Sequence, residues 1–342
     1  QKKMRILLFG GVGFIGTNIA KIALEKGHSV IAFDNLSRKG VKQNLLILNK
    51  LPNFKFILGD VRNPDDFKKI PKKFDIVVNL AANTSVPKSI TNPKLDCEIN
   101  ILGHINVLEF VKNNGSIPVI FASSNKVYTN KINTYRLIEK EKRYEIVKSK
   151  FKYGFSEDLD VQGLGGFTNS PYGVSKLSAE KYTREYGKIY DIPYVINRMS
   201  CIYGIFQKGI EEQGWVDWFL RAKKENRGLT IYCNGKQVRD CLFGSDLALL
   251  YLDQAENFKG YKNKTFNVGG GSKPGFNVSL LELIEILDQN FPGKKIKYTF
   301  APERVSDHKF YISDIRKLKK VSAWSPTTSI FDGLRKMWKE YK

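Results

Sequence analysis

One loop, Gly10-Gly11-Val12-Gly13-Phe14-Ile15-Gly16, constrains this chain more than any other stretch. It follows the apolar run Met4 to Phe9. It opens a segment whose apolar residues (Phe14, Ile15, Ile19, Ile22, Ala23) recur at helical spacing and stop at Gly27, a common helix end. Strand, glycine turn and helix in that order bring backbone N–H groups close to a pyrophosphate at the positive end of the helix. A glycine triplet alone is only a turn, and the strand and helix around it make it specific. The next apolar run, His28 to Asp34, ends in a carboxylate where an adenosine ribose would offer both hydroxyls and a 2′-phosphate would be repelled. The loop and Asp34 together predict a bound dinucleotide, NAD in preference to NADP. Arg38 nearby leaves the phosphorylated form open.

Further strand-like runs end at Asp60, at Ala82 and at Ser124, with helical segments between them. Strands alternating with helices predict a doubly wound α/β fold of the Rossmann type, its parallel sheet covered on both faces. After about residue 192 the elements shorten. We therefore expect a dinucleotide-binding domain at 1–191, with a long aperiodic connection at 129–169, and a smaller mixed α/β lobe at 192–342 interleaved with it. With 342 residues and 42% hydrophobic content, the chain can bury a large core. No apolar run approaches the roughly 20 residues of a membrane helix. The first residues are too few and too glycine-rich for a signal peptide, and Gln1 to Lys3, ahead of Met4, read as an added remnant. Cys97, Cys201, Cys233 and Cys241 show no C-x-x-C spacing, and His28, His104 and His308 lie far apart. Neither disulfides nor a metal site is expected, and a reducing cytoplasm fits. The formal charge is +22, but the lysines are scattered and form no basic stretch interleaved with aromatics, so a nucleic-acid partner is not expected.

Tyr172 and Lys176 stand four residues apart in Ser-Pro-Tyr-Gly-Val-Ser-Lys, on one face of a predicted helix. A free tyrosine titrates near about 10, too high for a base at neutral pH. A neighbouring ammonium stabilises the phenolate and lowers that value. The fifth strand ends in Ser123-Ser124, a second candidate corner of a site.

With these pieces assembled, the chain resembles the nucleotide-sugar branch of the extended short-chain dehydrogenases/reductases. The matching runs are GGVGFIG, FDNLSRKG, GDVRNP, NLAA, ASSNKVY, SPYGVSK, NGKQVRD, FNVGGG and APERVSD, and they cover nearly the whole length. The resemblance implies a catalytic set of Ser124, Tyr172 and Lys176. It implies NAD held by Gly10, Gly13, Phe14, Ile15, Gly16, Asp34, Asn35, Ser37, Arg38, Asp60, Val61, Leu80, Ala81, Ala82 and Asn100, together with Tyr172 and Lys176. It implies a nucleoside-diphosphate sugar held by Thr84, Ser85, Val86, Asn125, Lys126, Cys201, Gln213, Gly214, Arg239, Arg304 and Asp307. Arg239 and Arg304 can each offer a fork of donors to the diphosphate. Trp215 and Trp218 share a helix face, which fits core packing as well as a pocket wall.

Family members that eliminate water place acids directly after the hydroxyl residue, for proton removal and hydroxyl expulsion. Here Asn125 and Lys126 stand there. That leaves epimerisation, oxidation or reduction, with Asn125 and Lys126 either holding the sugar or shaping its pocket. The runs SSNKVY, FDNLSRKG, QGWVDWF and NGKQVRD are most similar to the branch that epimerises CDP-paratose at the sugar C2, which implies a CDP-sugar partner, a transient 2-keto sugar and NADH. Tyr128-Thr129-Asn130 departs from the Tyr-Gly of many members. A UDP-hexose or uronate 4-epimerase and a non-catalytic dinucleotide sensor are the competing readings. The resemblance also implies pairing into a homodimer or homotetramer through helices near 92–112 and 172–190.

Overall fold

The computed structural model describes residues 2–341; Gln1, part of the expected terminal remnant, lies outside the described residues. Seven strands form one parallel sheet: β1 (Arg5–Phe9), β2 (Ser29–Asp34), β3 (Phe54–Leu58), β4 (Ile76–Asn79), β5 (Val119–Ser124), β6 (Tyr194–Met199) and β7 (Lys264–Val268). Their order is 3-2-1-4-5-6-7. The central strands β1 and β4 read as nearly unbroken apolar runs because both faces are covered, whereas the edge strands β3 and β7 carry exposed Lys55 and Lys264. Side chains alternate between those faces. Ile6 and Leu8 enter the core shared with the helices Phe14–Glu25 and Gly244–Glu256, whereas Leu7 and Phe9 enter the opposite core with Val107, Leu108 and Phe110. The expected fold class is the observed one, and β6 and β7 both come from beyond residue 191.

The strand order reverses between β1 and its two neighbours, β2 and β4. Loops leaving β1 and β4 diverge there and open a crevice at the carboxyl ends of the strands. Gly10 turns the chain at that point with φ +70°, and a Cβ on it would lie 2.9 Å from the Ala81 nitrogen. Only glycine allows so close a crossing without strain.

The smaller lobe carries the strands Cys201–Tyr203, Val238–Phe243, Asn277–Ser279 and Phe310–Tyr311 in one sheet, and a parallel pair, Leu229–Tyr232 with Tyr298–Ala301. Its core packs Val216, Phe219 and Leu220 against Leu283, Leu287, Leu334 and Met337. The 129–169 connection binds to this lobe as a strap. Tyr144 N–H donates to Lys236 O at 2.9 Å and Phe155 N–H to Ile312 O at 2.7 Å. Beneath it Tyr128, Phe155, Val238, Phe310 and Tyr311 share an apolar cluster. Aromatic anchoring under an irregular backbone explains why the sequence shows no period there. Thr129 takes an ordinary extended φ of −74°, and its hydroxyl donates to Asp160 at 2.9 Å, so this loop has no need of glycine. No described helix is long and apolar enough to cross a membrane.

Candidate active site

A cleft of about 770 Å³ runs from the ends of β1, β2 and β4 to the smaller lobe. At one end lies the glycine loop. The helix Phe14–Glu25 starts from Gly13 with no side-chain cap and no acidic residue in its first turn, so its positive end faces the cleft. A Cβ on Gly16 would sit 2.6 Å from Gly10 O, which explains how tightly helix and turn pack. A Cβ on Gly13 would meet only Gly10 O, at 3.2 Å, leaving room for a ligand against the backbone. The Asp34 carboxylate accepts from Leu36 N–H at 2.9 Å and from Val12 N–H at 3.4 Å, which ties it to the loop. Burial pushes the Asp34 pKa up, against those N–H groups and Arg38. Asp60 is held down at about 2, first by its hydrogen bonds from Arg62, and it accepts from Asn35 at 2.9 Å. An open helix end and an anchored carboxylate at this spacing fit a dinucleotide.

At the middle of the cleft β5 delivers Ser124. The helix Pro171–Ile189 begins beside it, capped by Ser170, whose Oγ accepts from Gly173 N–H at 3.1 Å. One turn separates Tyr172 from Lys176, and both are buried. Ser124 stands near enough to the Tyr172 side chain to lower its pKa, and Ser89 Oγ accepts from the Tyr172 N–H at 3.1 Å. Lys176 Nζ donates to Ala122 O at 2.7 Å and lies 4.7 Å from the centre of the Phe121 ring. Burial pushes Tyr172 up to about 12; Ser124 and Arg38 oppose the rise, and Asp96 adds to it. Burial also pulls Lys176 down to about 8, with Asp96 and Glu180 restoring part of the loss. The protein's own groups thus keep Tyr172 a neutral phenol, and the lysine does not overcome its burial.

Farther out, two cations share one carboxylate. Asp307 Oδ1 accepts from Arg239 Nη2 at 2.6 Å and from Lys126 Nζ at 3.3 Å. Burial raises the Asp307 pKa, but the two cations outweigh it and hold the carboxyl well below its ordinary range. Arg304 lies 3.8 Å over the Tyr232 ring and donates to Glu211 O at 3.0 Å. Asn125, beside Ser124, accepts from its hydroxyl at 3.4 Å.

The structure brings the sequence-predicted residues to this cleft except two. Asn100 sits in a π-helical turn, Glu98–Leu102, where its amide donates to Asn83 O, Asp96 and Ser175 Oγ beneath the helix that carries Tyr172. Ser85 is buried as the cap of a short helix, accepting from Lys88 N–H at 3.3 Å. Trp215 and Trp218 do both of their suggested jobs, lining the cleft and packing on the smaller lobe's core. Phe206, Lys208, Glu211 and Tyr232 also line the cleft and escaped the sequence reading. Phe206, Lys208 and Glu211 lie in the aperiodic loop between Tyr203 and Trp215, and Tyr232 ends the strand Leu229–Tyr232.

A family model described as the NAD dependent epimerase/dehydratase family matches residues 6–269. The chain belongs to this family. It is an enzyme of the isomerase class, an NAD-dependent nucleotide-sugar epimerase. It is 38% identical to the CDP-paratose 2-epimerase of Salmonella typhi, over 98% of each chain. It is 30% identical to a putative UDP-glucose 4-epimerase of Methanocaldococcus jannaschii, over 97% of this chain and 96% of that one. Among solved structures, the UDP-glucuronic acid 4-epimerase of Bacillus cereus, in complex with UDP-glucuronic acid and NAD, is 27% identical, covers 98% of both chains and superposes with a TM-score of 0.80. The epimerase's cofactor is NAD, and the glycine loop and Asp34 are the groups of this chain that suit it.

Proposed function

We propose that this epimerase inverts C2 of CDP-paratose, giving CDP-tyvelose, through a transient 2-keto sugar. The observation that carries the reading is 38% identity, spread over 98% of both chains, to an enzyme named for that activity. The turn after Ser124 supports it: Asn125 and Lys126 supply no acid–base pair for eliminating water.

The glycine loop and the open helix end hold the pyrophosphate of NAD, Asp34 its adenosine ribose, and Lys176 the nicotinamide ribose. The chemistry NAD supplies when bound is reversible hydride acceptance, together with a cationic ring. Tyr172 takes the C2 hydroxyl proton, and Ser124 holds the same oxygen. Burial makes Tyr172 a weak acid, so it becomes a base only when positive charge is added beside it. Arg239 and Arg304 hold the diphosphate. Inversion requires the planar ketone to present its other face, so the wall around Thr84 and Gln213 accepts two orientations of the sugar.

Residues 1–191 form the cofactor domain and 192–342 the nucleotide-sugar lobe, interleaved because β6 and β7 of the second segment complete the first domain's sheet. Exposed Leu102, Val174, Tyr182 and Ile189, on the helices near 92–112 and 172–190, form the contact of a homodimer working in the cytoplasm. Light scattering at micromolar concentration tests that assembly, and a monomer would refute it.

The activity is tested by incubating the protein with CDP-, UDP-, GDP- and dTDP-sugars and reading product stereochemistry by NMR. Inversion of CDP-paratose at C2 is expected. Inversion of a UDP-hexose or uronate at C4 instead would replace this reading.

A further inference from the structure

Arg38 follows Asp34 in the loop after β2, where a cation would meet a ribose phosphate. Its guanidinium goes elsewhere. Nη1 donates to Thr84 Oγ1 at 2.9 Å, and Nη2 donates to Gln213 Oε1. Thr84 follows β4, and Gln213 belongs to a loop of the smaller lobe. That loop is fastened to the cofactor domain at neighbouring points as well. Asn18 Nδ2 donates to Ile205 O at 3.1 Å and Asn44 Nδ2 to Phe206 O at 3.4 Å. Lys208 lies against Gly40, where an added Cβ would meet the lysine Cβ at 3.3 Å. Asn44, Phe206 and Lys208 of this seam line the cleft together with Arg38, and the Arg38 charge acts on Tyr172 from there.

We propose that Arg38 is a positioning residue of the sugar pocket, and that by bridging Thr84 and Gln213 it keeps the smaller lobe's loop closed over Ser124 and Tyr172 while the sugar is a ketone. This rests on the ketone route proposed above. That route sets two conflicting demands. The sugar must turn over, so the pocket cannot grip it by many contacts. The ketone must also stay, because its escape strands the two electrons and the hydrogen taken from C2 on the nicotinamide and stalls the enzyme. Closure by a bridge outside the sugar meets both demands. A guanidinium suits the task, since its planar fork holds two acceptors at once in fixed directions, which an ammonium does not.

The test compares Arg38→Gln, Arg38→Lys and Gln213→Leu in the full-length protein. Two quantities are read: NAD retained per chain after gel filtration, and near-ultraviolet absorbance of reduced nicotinamide accumulating per turnover with CDP-paratose. Arg38→Gln should retain NAD like the unmodified enzyme. It should also accumulate reduced nicotinamide about ten-fold faster per turnover, the size expected for loss of one hydrogen bond to a charged group. Gln213→Leu should move the same way, with Arg38→Lys between. If Arg38→Gln does not fold, Gln213→Leu carries the comparison. Loss of NAD from Arg38→Gln would make the residue a cofactor contact and overturn the proposal. So would a slower enzyme whose accumulation per turnover is unchanged. Failure of the ketone route itself shows separately, as unmodified enzyme that inverts C2 with solvent hydrogen entering there.

Discussion

Replacing Lys176 with methionine should make the protein more stable and inactive at once. The ammonium is buried and makes one hydrogen bond, to Ala122 O at 2.7 Å, beside the Phe121 ring. Burial brings its pKa from an ordinary 10.5 to about 8. The unfolded chain therefore keeps this proton up to about 10.4, while the folded chain gives it up near 8. Between those values the unfolded state binds more protons, so the lysine's contribution to stability rises with pH across that window. Below it both states are protonated and the whole cost is present, roughly 3 kcal/mol at about 1.36 kcal/mol per pH unit. Methionine keeps much of the apolar volume and removes the charge. It also removes a hydrogen bond worth about 1 kcal/mol. The net gain at pH 7 is then about 2 kcal/mol. Urea unfolding of both proteins from pH 7 to 10.5 measures it. The advantage of Lys176→Met should be constant up to about pH 8, shrink through the window and reverse near its upper end. A difference that does not change with pH would refute the reasoning, because it would mean that the lysine is as easily charged inside the fold as outside.

Tyr172→Phe should lose about 10²- to 10⁴-fold in turnover, the usual contribution of a positioned base. Calorimetry should show that it still binds CDP-sugar; a loss confined to binding would remove Tyr172 from the chemistry. In deuterated water the product C2 should carry no solvent deuterium. Asp34→Ala should weaken NAD binding by about ten-fold or more, for loss of charged hydrogen bonds to ribose, and equal affinity of the unmodified protein for NAD and NADP would count against the anchor. Asp307→Asn should lower the melting temperature more than Lys126→Met. The first leaves two cations facing each other at a cost of about 1–3 kcal/mol, and the second leaves the Arg239–Asp307 pair intact. Equal losses would show that the carboxylate is not shared.

The cofactor end of the site was legible because its geometry is local. Gly10, Gly13, Gly16 and Asp34 act through turn, helix end and strand end, and each leaves a mark within a few residues of sequence. Tyr172 and Lys176 were legible for the same reason, being one helical turn apart. The phenol's acidity was not, because burial is a property of everything packed around it, including Asp96 and Ser124 from other elements. Asn100, expected at the cofactor, also donates to Ser175 on the helix that carries Tyr172, seventy-five positions away, a contact that no local pattern shows. Arg38 shows the limit most clearly. Its neighbours in sequence point to a ribose, whereas its partner Gln213 lies 175 positions off, and no local pattern encodes that meeting.

The same distinction answers what a lysine does after Ser124-Asn125, where elimination would need an acid. Lys126 Nζ donates to Ser306 O at 3.2 Å and to Asp307 at 3.3 Å, so the turn that follows Ser124 is tied to the smaller lobe's 304–308 segment. Arg38 ties the cofactor loop to the lobe's other wall at Gln213. Both cations are engaged by protein partners, one on each side of the cleft. An acid in place of Lys126 would face Asp307 as a like charge, cutting the tether and raising the pKa of one carboxyl of the pair. Exchange toward a dehydratase pattern at residue 126 alone should therefore loosen the cleft before it supplies any new chemistry. Charges spent on holding the walls rather than the sugar leave a pocket that can stay closed around a ligand free to turn within it, which is the condition that inversion through a ketone imposes.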